Sequence, residues 1–346
     1  MGIIYIFLII EIVAFSLVDK TKYYAKKYLP LIIMLSLGLI MGIRYNVGID
    51  YPTYEDVFNN PYSWNRGGIE PLWLFFIDSL RNLSFKSRIF FFITSFIYVY
   101  GYYVGFKRLS PQIYLSFLLF IVIDTYGEGS NTIRQTCAQA VLFAGSNYFL
   151  EKKWKKFLPY ALGAVLLHLS AFMGLAIMFI CRIRFKHWLL YALVLISFAI
   201  GPAIMNRLLS VLMAAVVVIG KYNYTPESFD PGVATGTLRI LYTLTGILIL
   251  GLTQSINSKN LPTWIYILVN LVVVGVLIYN IFYLFLPVNR LNRYCFPYLT
   301  VLLPILCTRI KRPSRYILEG GISFGFLLFL LKTALSHPYN FDFYFI

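Results

Sequence analysis

The chain reads as an all-α, polytopic integral membrane protein, and three features of its 346 residues point there. Hydrophobic residues make up 59% and charged residues only 13%, about half the charged share of a soluble domain, which is roughly 25%. A water-exposed globular surface is thereby excluded. The apolar residues fall in long runs with no lengthy polar tract between them, which excludes a disordered chain. The formal charge of +16 is carried in short Lys and Arg clusters between the apolar runs, the layout of membrane loops. A nucleic-acid surface would group them on one face, so no nucleic-acid partner is expected.

A crossing needs about 20 apolar residues rising about 1.5 Å each. Spans are expected near 2–18, 29–43, 89–106, 112–124, 132–150, 187–201, 237–254, 262–286, 294–308 and 317–335, about 10–12 transmembrane helices once irregular segments are included. The first run, Met1 to Leu17, lacks the basic leader and small-residue cleavage site of a secretory signal and reads as a span. Nothing repeats along the chain, so residues 1–346 are expected to form a single transmembrane domain. Cys137, Cys181, Cys295 and Cys307 occur singly in or beside apolar stretches and read as small core residues.

Positive charge sets the orientation. The clusters Lys20 to Lys27, Lys152 to Lys156 and Arg309 to Arg315 are expected in the cytoplasm, with the N-terminus outside. Glu70 to Leu83 is too short to cross without breaking that rule, so it is expected flat or re-entrant on the outer face, with Trp73, Phe75 and Phe76 as its apolar side. Residues 157–180 carry basic clusters at both ends and His168 near the centre, the pattern of a re-entrant pair whose turn is buried or lines a cavity. The alternative is one ordinary span that violates the charge rule. The larger external loops are then 44–69 and 220–236. On this topology the outer basic residues are 9 Arg and 3 Lys, against 6 Arg and 12 Lys inside. Arginine's planar fork suits phosphate oxygens better than a lysine point charge does. The competing reading pairs these arginines with the outer acids Asp50, Glu55, Asp56 and Glu70.

Several constellations could carry chemistry. Arg44 ends a span beside Gly42, Gly48, Asp50, Tyr51 and Tyr54, a loop able to approach a sugar, although snorkelling alone would explain the arginine. Glu70 precedes Pro71 at a helix start, either as a cap or as a general base. Asn131, Arg134 and Gln135 open a span. An Asn cap is ordinary there, but an Arg at a helix N-terminus is disfavoured unless an anion lies nearby. Arg290 and Arg293, with Tyr294, are spaced to share a helix face and grip one diphosphate, or form a solvated loop. His168 stands alone within an apolar run, as a functional imidazole or as one bonded to Ser170 or a backbone carbonyl. The chain has no HExxH pair, glycine-rich phosphate loop, GxSxG elbow or acidic pair for a metal, which argues against ATP hydrolysis and metalloproteolysis.

The segments GIRYNVGIDYPTY at 42–54, EPLW at 70–73, NTIRQTCAQA at 131–140, LLHLSA at 166–171 and NRLNRY at 289–294, in this order, resemble the EpsG-like group of Wzy-type polysaccharide polymerases. The resemblance implies a membrane glycosyltransferase that joins oligosaccharide repeat units carried on undecaprenyl diphosphate, at the outer face of the bacterial cytoplasmic membrane. It implies no nucleotide sugar, cofactor or metal; chain length is set either by this chain or by a chain-length regulator as an additional partner. Within it, Arg134, assisted by Arg290 or Arg293, would stabilise the departing diphosphate and Arg44 would hold the other one. Tyr51, Tyr54, Gln135 and Tyr294 would line the substrate site. Glu70, Asp50 or His168 would take the acceptor proton; imidazole alone of these titrates near neutrality when unperturbed. A flippase for the same lipid-linked sugars should show inverted repeats, and an O-antigen ligase would share the chemistry with a different acceptor.

Overall fold

The computed structural model describes residues 2–19, 27–48, 50–219, 234–256 and 261–336. Lys20, Lys22, Lys26, His337 and most of the expected loop 220–236 lie outside the described residues. The described residues are 84% helical, with no strand among them. In order the helices are α1 Gly2–Asp19, α2 Leu29–Gly42, α3 Tyr51–Asn59, α4 Pro71–Asn82, α5 Ser87–Leu109, α6 Ile113–Val122, α7 Thr125–Asn131 and α8 Ile133–Leu150. They continue with α9 Trp154–Leu167, α10 Ala171–Ile180, α11 His187–Ile219, α12 Ala234–Ser255, α13 Thr263–Phe282, α14 Leu286–Asn289, α15 Leu299–Cys307 and α16 Arg312–Ser336.

Each expected span overlaps observed helix, but 294–308 begins in 3₁₀ turns and its α-helix covers only Leu299–Cys307, too short to cross alone. Among the described residues four helices are individually long and apolar enough to cross a membrane: Ser87–Leu109, His187–Met205 within α11, Gly236–Ser255 within α12, and Thr263–Phe282. A fifth arises if α6 and α7, bent by 53° at Asp124, count as one. Asp124 makes that bend in the left-handed region, at φ 59°. The break expected within 157–180 falls at His168 to Ser170, between α9 and α10. All four cysteines are buried and free.

The helices pack as two compact units, Met1–Ala171 with Ile310–Ile346, and Phe172–Arg309. In the first, α8 lies between α5 and α9, and small residues set the closeness. A Cβ on Gly101 would meet Ala140 at 2.8 Å, and one on Gly105 would meet Phe143 at 2.4 Å. These two glycines, four residues apart on α5, let the α8 backbone approach as small residues do between membrane helices. In the second unit, polar side chains link the helices. The Asn280 amide donates to Ser197 Oγ at 3.1 Å and its oxygen accepts from Thr243 at 3.0 Å. Asn270 donates to the carbonyls of Cys181 and Ile183, which α10 and its following turn would otherwise leave open.

The described residues of the expected loop 44–69 include α3 and a 3₁₀ turn, Trp64–Gly68. Helix α4 differs from expectation in its apolar side. Trp73, Ile77 and Leu80 are buried, whereas Phe75 is 71% exposed. At 3.6 residues per turn, positions two apart point to opposite sides, so Trp73 and Phe75 cannot share a face.

Candidate functional site

Glu70 occupies the N-cap of α4, where Pro71 fits the first helical position because its missing N–H would have no partner there. The Glu70 side chain makes no capping bond. One carboxylate oxygen instead accepts from Arg134 Nη1, and the other lies 2.6 Å from His168 Nδ1. A single carboxylate thus joins three segments far apart in sequence. The side chains of Arg134, Glu70 and His168 are 22%, 22% and 21% exposed, so the cluster is mostly enclosed but not sealed.

Arg134 is the second residue of α8, where the helix dipole opposes a cation. The Glu70 carboxylate is the compensating anion. The guanidinium also donates through Nε to the Tyr54 hydroxyl at 2.7 Å and through Nη1 to the Gly68 carbonyl at 2.8 Å. Burial pushes the Glu70 carboxyl up, but the His168 hydrogen bond and the Arg134 charge outweigh it and hold the group at about 2. It is therefore ionised at neutral pH. Its folded value lies below the unfolded value of about 4.3. Its stabilising contribution is thus complete above that pH and lost as pH falls toward 2. Burial raises the Tyr54 phenol well above its ordinary range, so it stays neutral.

The local packing explains how the cluster assembles. Helices α3 and α4 both settle on the aromatic start of α5: Tyr51 stacks on Phe91 with centroids 3.9 Å apart, Tyr54 stacks on Phe90 at 5.3 Å, and Trp73 meets Phe90 at 5.8 Å. The buried Trp73 indole N–H donates to the Leu167 carbonyl at 2.6 Å. Leu167 ends α9, so α4 satisfies an open helix C-terminus immediately before His168. His168 follows in extended conformation, with φ −159°.

Gly48 ties the first motif to the third. Its φ is +101°, and a Cβ there would lie 2.1 Å from the Ser130 carbonyl oxygen. The glycines of 42–48 serve close packing, Gly42 against Phe92 and Gly48 against Ser130. Gly48→Ala is expected to destabilise the protein by more than about 1 kcal/mol, since alanine is strained at positive φ and the carbonyl would have to move. A lowered melting temperature in detergent would register it; an unchanged one would contradict the packing described.

The remaining expected site residues are placed as follows. Arg44 is 3% exposed; its Nη1 donates to the Met41 carbonyl and to Ser95 Oγ, both at 2.7 Å, and its Cζ lies 5.4 Å from the Phe91 ring centroid. It caps the open C-terminus of α2 from inside the protein, and does not snorkel. Tyr51 is fully buried. Asp50 stands at the N-cap of α3 without a side-chain capping bond, and its charge reaches Tyr54. Gln135 is buried one residue beyond Arg134. Asn131 closes α7, and Thr132 takes the N-cap of α8 without a side-chain capping bond, so Asn131 is not the expected cap. Arg290, Arg293 and Tyr294 share a 3₁₀ turn in the second unit, where residues three apart eclipse, so the two arginines do lie on one face. Tyr294 is buried against Gly174.

One ion-pair group escapes the sequence patterns set out above. Asp78 pairs with Arg66 at 2.7 Å and with Arg81 at 2.8 Å, so part of the outer arginine excess is balanced internally. The three-residue spacing of Asp78 and Arg81 on α4 is the signal that could have found it. Comparison with known proteins gives a match to the model of the EpsG family over residues 27–344. No curated protein and no solved structure matches the chain.

Proposed function

The chain belongs to the EpsG family, and on that basis we propose that it is a membrane glycosyltransferase that polymerises undecaprenyl-diphosphate-linked oligosaccharide repeat units into O-antigen, capsular polysaccharide or exopolysaccharide. The reaction is placed at the outer face of the bacterial cytoplasmic membrane, with a lipid-linked donor, a lipid-linked acceptor and a chain-length regulator as partners. The observation that carries this reading is the Glu70 carboxylate shared between His168 and Arg134.

The three candidate bases take different roles. Glu70 is a weak base, because Arg134 and His168 stabilise its charge. Its task is to accept the Nδ1–H of His168, which leaves Nε2 as the ring's basic nitrogen. His168 Nε2 then takes the proton of the acceptor hydroxyl as that oxygen bonds to the anomeric carbon of the donor. The bond from that carbon to the diphosphate oxygen breaks, and the growing glycan leaves its polyprenyl diphosphate. Charge gathers on the departing diphosphate, and the exposed part of Arg134 faces it. Tyr54 and Gly68 hold the guanidinium plane fixed for this purpose. Arg290 and Arg293 remain diphosphate ligands on the chemistry of their forks. Asp50 adds a negative charge near Tyr54 and is assigned no proton transfer. Arg44, enclosed beneath the loop, shapes the binding surface for the second diphosphate by holding the end of α2.

Deleting the gene and resolving the cell's surface glycan on a gel tests the function. The polymerase reading predicts loss of the ladder, with single repeat units still reaching the surface. Loss of all surface glycan would point to a flippase, and an intact ladder that is no longer attached to its final acceptor would point to a ligase.

A further inference from the structure

Two of the largest side chains in the first unit are held out in the open. Tyr62 is 93% exposed and Trp64 is 92% exposed. Leaving a large apolar side chain in water forgoes about 1.5–3 kcal/mol of burial, so such placement on an ordered segment calls for a reason. The segment is fixed by polar bonds on both sides. The Ser63 hydroxyl donates to Asp56 and accepts from the Asn65 N–H, while the Asn65 side chain donates to Asp56 at 2.9 Å. Arg66 reaches the Val57 carbonyl at 3.3 Å and Asp78 at 2.7 Å, anchoring the turn to α3 and α4.

The same turn ends in the site. Trp64 begins the 3₁₀ helix that Gly68 closes, and the Gly68 carbonyl accepts from Arg134. At about 2.0 Å per residue the Trp64 backbone lies roughly 8 Å along the turn from that carbonyl. A Cβ on Gly67 or Gly68 would meet no atom within 4 Å, so open space adjoins the turn at the two glycines that lead from Trp64 to the carbonyl bound by Arg134.

Building on the polymerase reading, we infer that Tyr62 and Trp64 form a saccharide-binding platform for the glycan beside the reacting bond. Their rings offer the apolar face that a sugar's C–H surface needs, with a polar edge at the rim. The turn that carries them is already ordered, so a bound sugar costs little further loss of chain freedom. A bilayer-anchoring role, the other common use of exposed Trp and Tyr, fits less well. The exposed residues around them in sequence are Asn59, Asn60, Pro61, Asn65, Gly67 and Gly68, and lipid would strand the three asparagine amides and the backbone groups of the glycines.

The test uses full-length protein in nanodiscs and, as probe, lipid-free oligosaccharide released by mild acid from the producing cell's surface glycan. Tyr62→Ala with Trp64→Ala is expected to weaken binding about tenfold, equivalent to roughly 1.4 kcal/mol, and to shorten the polymer made. Both side chains are almost wholly exposed, so the double variant should keep the melting temperature of the unaltered protein. Unchanged affinity in the double variant overturns the platform and leaves the polymerase reading standing. Failure of the unaltered protein to bind any of this oligosaccharide overturns both. Quenching of the Trp64 contribution to fluorescence by brominated phospholipid shows a bilayer anchor and also overturns the platform.

Discussion

His168→Ala is expected to slow polymerisation by about 10²–10⁴-fold, the range for loss of a positioned general base. Lipid-linked single units should accumulate, and the amount of protein in the membrane should stay normal. The backbone at His168 is extended, which alanine adopts without strain, the α9 end is held by the Trp73 bond to Leu167, and Glu70 keeps its bond to Arg134, so the local fold is retained without the imidazole. The measurement is the rate of bond formation on purified protein supplied with lipid-linked units. A loss of less than about tenfold would place the proton transfer elsewhere, since general base catalysis contributes more than that.

Glu70→Gln is expected to cost about as much, roughly 10²–10⁴-fold, while preserving the side chain's shape. A glutamine that turns its NH₂ toward His168 Nδ1 makes that nitrogen the acceptor and moves the ring proton to Nε2. The acceptor hydroxyl then finds a donor where it needs a base, the wrong-tautomer defect seen when an orienting carboxylate becomes an amide. The change also leaves Arg134 without its carboxylate partner in a site where it is only 22% exposed, and an under-satisfied charged group there is costly. The carboxyl is held at about 2. It therefore stays ionised down to about pH 4, below which ordinary carboxylates protonate, and the melting temperature lost in Glu70→Gln should be no smaller at about pH 5 than at about pH 7; a loss that fades over that range would contradict the depressed value.

Much of the scaffold is legible in the sequence because hydropathy and helix length are linked directly. Every apolar run long enough for several turns forms a helix, and the break at His168 is visible from the polar interruption between two basic ends. Helix faces are less legible. The run Trp73, Leu74, Phe75, Phe76, Ile77 is apolar throughout, so its pattern names no inner side. Only the neighbour packed across the helix decides that Trp73 turns inward while Phe75 turns out.

The site is legible in its members but not in their pairing. Glu70, Arg134 and His168 can each be singled out because an acid before proline, an Arg at a helix start and a lone His in an apolar run all lack an ordinary partner nearby in sequence. That they satisfy one another depends on α3 and α4 resting on Phe90 and Phe91, which no local pattern announces. Arg44 shows the converse. Its position at the end of an apolar run suggests a surface cation, and tertiary packing instead draws it inward to the α2 carbonyl end and Ser95.

The shared carboxylate is tested most directly by a double-mutant cycle on purified full-length protein given lipid-linked repeat units, comparing His168→Ala, Glu70→Gln and the two combined. If Glu70 acts by orienting His168, the combined variant is no slower than His168→Ala alone, because residues that work as one unit lose their joint effect only once. If the two losses multiply, the carboxylate and the imidazole act independently, and the proposed proton transfer is wrong.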